Sequence, residues 1–154
     1  MVAGVIQVKV IIDADACPVT DIAVALCRQY RISCHLFCDT AHMISREGAQ
    51  TVTVDKGADS ADYAIVRQVM PGDVVITQDY GLAAMCLAKQ ARVLHQNGWE
   101  YTADNIDALL WERHEAKKFR KGGGRTKGPS KRTAQQDLQF HSALDRLLQK
   151  MSQG

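Results

Sequence analysis

Runs of apolar residues alternate with amphipathic stretches along most of the chain. Val5–Ile12, Ile32–Cys38, Thr51–Val54, Val74–Thr77 and Arg92–His95 are short, rich in Val, Ile or Thr, and bounded by polar or turn residues, which predicts five strands. Between them lie segments with helical spacing. Val19–Tyr30 carries Ile22, Leu26 and Tyr30 on one face, Ser60–Met70 ends at Pro71-Gly72, and Gly81–Gln90 separates the fourth and fifth strands. Ala41–Ala49 reads as a weak helix. After a turn at Asn97-Gly98, Thr102 is placed to cap a helix running to about Lys118. A last amphipathic helix, Arg132–Met151, carries Leu138, Leu144, Leu147 and Leu148. Strands spaced by helices predict βαβ units, a parallel sheet and an α/β fold. A length of 154 residues fits one domain spanning 1–154.

The first strand stops in two acids, in Ile11-Ile12-Asp13-Ala14-Asp15-Ala16-Cys17-Pro18, and Pro18 suits the first turn of the following helix. Ligands of open parallel sheets bind at the carboxyl ends of the strands, where such a turn lies. Other acids recur at comparable places. Asp59 and Asp62, three apart, open the third helical segment, and Asp79 follows the fourth strand in Thr77-Gln78-Asp79. Taken singly, Asp15, Asp59 and Asp79 could be helix caps, and Asp62 a favourable charge at a helix N-terminus. Taken together at one sheet edge, they are the oxygen-rich donor set that a hard divalent cation, Mg²⁺ or Mn²⁺, requires. Such a cation can activate water and stabilise an in-line phosphoryl displacement.

Charge is segregated. The net formal charge is +2, yet residues 117–132 read KKFRKGGGRTKGPSKR, with eight bases and no acid, which leaves eleven bases against seventeen acids elsewhere. Lys117, Lys118, Arg120, Lys121, Arg125, Lys127, Lys131 and Arg132 form a basic, glycine-rich loop able to follow a phosphate backbone or simply to be solvated. Phe119 alone interleaves it, so this segment does not predict a base-stacking platform. Five cysteines without a CxxC pair, and no secretory signal or membrane-length apolar run, predict a reduced, cytoplasmic protein with no membrane partner. Cys34 and Cys38 share one face of a strand and read as small buried hydrophobes rather than zinc ligands with His35 and His42. Cys17 reads as a packing or capping residue.

The segments Asp13-Ala-Asp-Ala-Cys-Pro18, Gly57-Ala-Asp-Ser-Ala-Asp62, Gly72-Asp-Val-Val-Ile-Thr-Gln-Asp79 with Gly81-Leu-Ala83, and Asn97-Gly98 through Tyr101-Thr102 and Asn105-Ile106 resemble those of the YaiI/YqxD family, bacterial proteins placed among PIN-like domains. A final helix with Asp137, Phe140 and Leu144 extends the resemblance over nearly the whole chain. The resemblance implies a PIN-like doubly wound sheet of about five strands, order 3-2-1-4-5, with helices on both faces. It also implies a nuclease that hydrolyses RNA or DNA, RNA foremost. Asp13, Asp15, Asp59, Asp62 and Asp79 would hold one or two Mg²⁺ or Mn²⁺, Thr77 would match a hydroxyl position before the last acid, and the mid-sequence acid of PIN nucleases would be Asp59 or Asp62. Two other functions fit the residues. A phosphatase of the haloacid dehalogenase type would use Asp13 as nucleophile and Asp15 as acid, although Cys17 stands where that motif carries Thr or Val. A non-catalytic nucleic-acid-binding protein would use the basic segment alone.

Overall fold

The computed structural model describes residues 7–39, 43–55, 60–125 and 131–153. Its elements are β1 (Lys9–Asp13), α1 (Thr20–Tyr30), β2 (Ser33–Asp39), β3 (Gln50–Val54), α2 (Ser60–Gln68), β4 (Val74–Ile76), α3 (Tyr80–Ala88), β5 (Arg92–Leu94), β6 (Glu100–Tyr101), α4 (Ala103–Lys121) and α5 (Ala134–Gln153). One sheet of order β3-β2-β1-β4-β5-β6 is parallel throughout except for the antiparallel β5–β6 pair. The expected order 3-2-1-4-5 is present, with one strand added. The chain builds outward from β1 to β3, returns to β4 at the other side of β1, and continues outward. The β1–β4 junction is therefore the topological switch point.

The alternation of side chains along a strand explains the two cores. In β1, Val10 and Ile12 face one layer and Ile11 the other; in β4, Val74 and Ile76 oppose Val75. The first layer is filled by Val24 and Leu26 of α1 and by Phe140, Leu144 and Leu148 of α5. The second is filled by Ile65, Leu82, Ile106 and Tyr101. Strands covered on both faces have no polar side to show, which is why they read as continuous apolar runs.

Several boundaries differ from the sequence expectation. The first strand begins at Lys9: Gln7 and Val8 are outside it, and Val5 and Ile6 lie outside the described residues. Residues 43–49 are not helical, so the weak helix expected over Ala41–Ala49 is overturned for those residues; Ala41 and His42 lie outside the described set. Pro18 precedes the N-cap Val19 rather than occupying the first helical turn. Leu138 is 65% exposed, because Phe140, two residues on, takes the buried position in that turn of α5. The Asn97-Gly98 turn closes a hairpin whose return strand, β6, is too short to give a periodic signal. Gly98 has φ +93°, and a Cβ there would lie 2.6 Å from the Gln139 backbone, so the turn needs glycine twice over.

Opposite the switch-point edge, buried Asp73 ties the sheet's other end. Its Oδ1 accepts the Lys9 N–H at 3.0 Å, and its Oδ2 accepts the Met70 N–H at 2.8 Å and the Lys9 ammonium at 2.7 Å. Asp73→Ala strands all three donors and should lower the free energy of unfolding by about 3 kcal/mol in urea titration, with Asp73→Asn costing less. A loss below about 1 kcal/mol would contradict this role.

Candidate active site

Parallel pairing of β1 and β4 in the register Ile12–Ile76 brings Asp13, the last residue of β1, beside Thr77, the residue after β4. Thr77 is buried. Its hydroxyl donates to Asp13 Oδ2 at 2.9 Å and accepts the Asp79 N–H at 3.0 Å. Its backbone is anchored as well, the N–H donating to the Leu94 carbonyl and the carbonyl accepting from the Tyr101 hydroxyl at 3.3 Å. One threonine thus fixes the spacing between the acids of the two switch-point strands.

Asp79 is the N-cap of α3. Its Oδ1 accepts the Gly81 and Leu82 N–H groups at 2.9 and 3.1 Å and faces the Arg113 guanidinium at 3.3 Å. The capping role weighed for this residue is real, and it does not remove the residue from the cleft. Asp15 does not cap α1, whose N-cap Val19 has no side-chain bond. Its carboxylate instead accepts the Asp39 N–H at 3.2 Å, joining the β1 turn to the end of β2. Asp62 lies in the first turn of α2. Asp59 lies outside the described residues.

Asp13 feels the other three described acids. Burial first, then the charges of Asp62, Asp79 and Asp15, push the Asp13 carboxyl up to about 6, against the pull of the Thr77 hydrogen bond. Asp13, Asp15 and Asp79 line a cavity of about 500 Å³ together with Gln78, Tyr80, His95 and Arg113. Burial, and then the Arg132 charge, hold His95 down to about 4, so it is neutral at neutral pH. Its Nδ1 accepts the Asn97 N–H, which leaves the ring proton on Nε2, and the ring stacks on Trp99. Cys17 touches a smaller space beside Asp13 and Asp15, but burial raises its thiol pKa, so it is no activated nucleophile. Cys34 and Cys38 are buried in the first core layer, as expected.

The donors are carboxylate oxygens with a hydroxyl behind them, a hard set suited to Mg²⁺ or Mn²⁺. As the side chains stand, no three His, Cys, Asp or Glu residues among the described ones converge at ligating distance. Holding a cation therefore requires the acids to draw together, with the Arg113 guanidinium at Asp79 Oδ1 as a competing counter-charge.

Arg113 is the residue that sequence reasoning missed. It lies within the helix expected after Thr102, with no motif to mark it, and only the packing of α4 against α3 brings it over the acids. His95, Gln78 and Tyr80 were likewise legible only as strand end and loop. The basic segment begins on the same helix: residues 117–121 are helical, extending α4 beyond Lys118. Lys117, Arg120 and Lys121 follow Arg113 at helical spacings of four, seven and eight, so a basic stripe leads away from the cleft. Lys118, Arg120 and Lys121 also suit the C-terminal end of the helix dipole. Arg125 and Lys131 are exposed, and Lys127 lies outside the described residues. Arg132 is half-buried and committed to the fold, donating to Asp137, Asn97 Oδ1 and the Gln96 carbonyl.

Fold and site define a doubly wound α/β protein with a carboxylate-lined cleft at its switch point. Residues 11–150 match the family model described as "Uncharacterized BCR, YaiI/YqxD family", and the chain belongs to that family. A UPF0178 protein of Exiguobacterium sibiricum is 51% identical over 91% of this chain and 96% of its own length. UPF0178 proteins of Lachnoclostridium phytofermentans and Ruminiclostridium cellulolyticum are 42% and 44% identical, over 94% and 95% of this chain and 99% and 95% of theirs. No solved structure matches the chain.

The raised Asp13 pKa has a definite sign. The folded state binds this proton more tightly than the unfolded chain, so Asp13 makes the metal-free protein less stable as pH rises from about 4 to about 6, and the loss persists above. Asp13→Asn keeps an acceptor for Thr77 and removes the charge. It should be more stable than the parent at about pH 7.5, by up to about 3 kcal/mol, with the difference vanishing near pH 4. Urea midpoints at the two pH values test this; a variant destabilised at both would show that Asp13 is a structural anchor only.

Proposed function

We propose that this protein is a metal-dependent nuclease that hydrolyses phosphodiesters of RNA or DNA, with RNA the foremost substrate. The observation that carries the reading is the gathering of Asp13, Asp15 and Asp79 on one cleft at the switch point, with Asp62 near enough to act on the Asp13 carboxyl, a concentration of negative charge that a bound cation would offset. Asp13, Asp15 and Asp79 would hold Mg²⁺ or Mn²⁺, with Asp62 and Asp59 completing the shell. When bound, such a cation supplies an activated water and neutralises charge on the phosphoryl oxygens.

The chain's own residues set the stage for this chemistry. Thr77 holds the Asp13 carboxylate in one orientation, and the Asp79 N–H holds the Thr77 hydroxyl in turn. Arg113 faces the cleft where a phosphate would lie, and Lys117, Lys118, Arg120 and Lys121 continue a positive track along α4 for the strand that carries it. Arg125 and Lys131 would add exposed positive charge beyond the helix, and Arg132 serves the fold. Neither the phosphatase reading of Asp13 nor binding without catalysis gains an observation of its own.

Calorimetric titration with Mn²⁺ should show binding that Asp13→Asn weakens at least about tenfold. Equal binding by both proteins would remove the proposed site. RNA cleavage should need Mg²⁺ or Mn²⁺ and be lost in Asp79→Asn, purified in parallel; because Asn also caps helices well, that loss would not reflect unfolding. Equal cutting by both preparations would assign the activity to a contaminant.

For the basic stripe, affinity for a single strand should fall steeply with salt. Each phosphate contact contributes about −0.7 to the logarithmic slope. Replacing Lys117, Lys118, Arg120 and Lys121 by Ala should flatten that slope by about 2 to 3. An unchanged slope would place the strand on another face.

A further inference from the structure

A second cavity, of about 600 Å³, opens beside the acidic cleft and has the opposite character. Its walls are Tyr63 and Val66 of α2 and Leu82 and Met85 of α3, with Arg67, Asp62 and Arg113 around them. Arg113 and Asp79 line both cavities, so the two are continuous at that ion pair. Tyr63 is 70% exposed and Met85 44%, over a fully buried Leu82. A single exposed tyrosine is unremarkable on a soluble protein. Here an aromatic ring and a thioether flank a concave apolar surface of ligand size, with two guanidinium groups beside it and a carboxylate cluster at its end.

We propose that this groove is a base subsite, which receives one unstacked nucleobase of a single-stranded nucleic acid while its flanking phosphates face Arg67 and Arg113. The inference rests on the nuclease reading and names its substrate form. Charge complementarity selects the occupant. The uncharged wall of Tyr63, Val66, Leu82 and Met85 suits a neutral base, and the guanidinium groups of Arg67 and Arg113 beside it suit the anionic linkage. Tyr63 supplies a ring face, and any base can stack on it without a sequence-specific bond. Arg113, shared by both cavities, would sit between the base and the phosphodiester presented to the acids. A base paired within a duplex cannot reach such a groove without leaving its stack, so single strands are preferred. The aromatic platform that the basic segment lacks is thus supplied by α2, far from it in sequence.

The test is fluorescence anisotropy with the full chain in chelator, using a labelled oligodeoxyadenylate and an abasic strand of the same length and charge. The wild type should bind the base-bearing strand about tenfold more tightly than the abasic one. Tyr63→Ala should abolish that preference and Tyr63→Phe retain it, since the ring face and not the hydroxyl makes the contact. Arg67→Ala should weaken both strands by a similar factor. Equal binding of the two strands by the wild type, a preference that survives Tyr63→Ala, or no binding of either strand would overturn the proposal. Because no metal or turnover is involved, a protein that discriminates the strands yet never cleaves one would sink the nuclease reading and leave the base subsite standing.

Discussion

Parallel pairing of β1 with β4 is the constraint on which the site depends. It sets the end of one strand directly against the end of the other, so Asp13 and Thr77 have to meet. Everything acidic then gathers around that pair. Asp79 is drawn in by its N–H to the Thr77 hydroxyl, Asp15 by the turn that joins β1 to the end of β2, and Asp62 by the packing of α2 on the second face of the sheet. The result is a carboxyl whose proton affinity is raised chiefly by burial and further by three neighbours of like charge. A fold stabilised by burial of Val10, Ile11 and Ile12 to either side of this strand can tolerate that repulsion.

The edge is organised by function-neutral devices as much as by acids. Asp79 caps α3 and Asp15 ties β2, so each carboxylate is held by N–H donors that also stabilise negative charge. Arg113 adds an exposed counter-charge from α4. Its guanidinium is exposed and its pair with Asp79 is long, so the pair contributes little to stability and is easily exchanged for another partner. The same arginine begins the basic stripe and borders the apolar groove. One helix thereby connects the acidic cleft, the cationic track and the aromatic wall.

Much of this was legible from sequence, for identifiable reasons. Buried strands announce themselves as apolar runs, and the acids that end them in Ile12-Asp13 and Thr77-Gln78-Asp79 stand out because polarity changes abruptly there. The family resemblance supplied the strand order, which the sheet follows with one strand added. What was not legible is what depends on distant packing. Arg113 is one arginine in a polar helix until α4 folds against α3, and Tyr63 reads as a residue of α2 until the groove beside Leu82 and Met85 forms. The added strand, β6, has two residues and no periodicity. The weak helix expected over Ala41–Ala49 is absent from residues 43–49, where the chain turns at Gly48 with φ +87°, a conformation a helix does not contain.

The central claim is that the carboxylates at the switch point form a cation site. Anomalous diffraction from crystals grown with Mn²⁺ tests it most directly. The account predicts a Mn²⁺ peak between the ends of β1 and β4, within about 2.5 Å of oxygens from Asp13 and Asp79, with Arg113 turned away from Asp79. A cleft that stays without a peak at saturating Mn²⁺, with the Arg113–Asp79 pair intact, would contradict it.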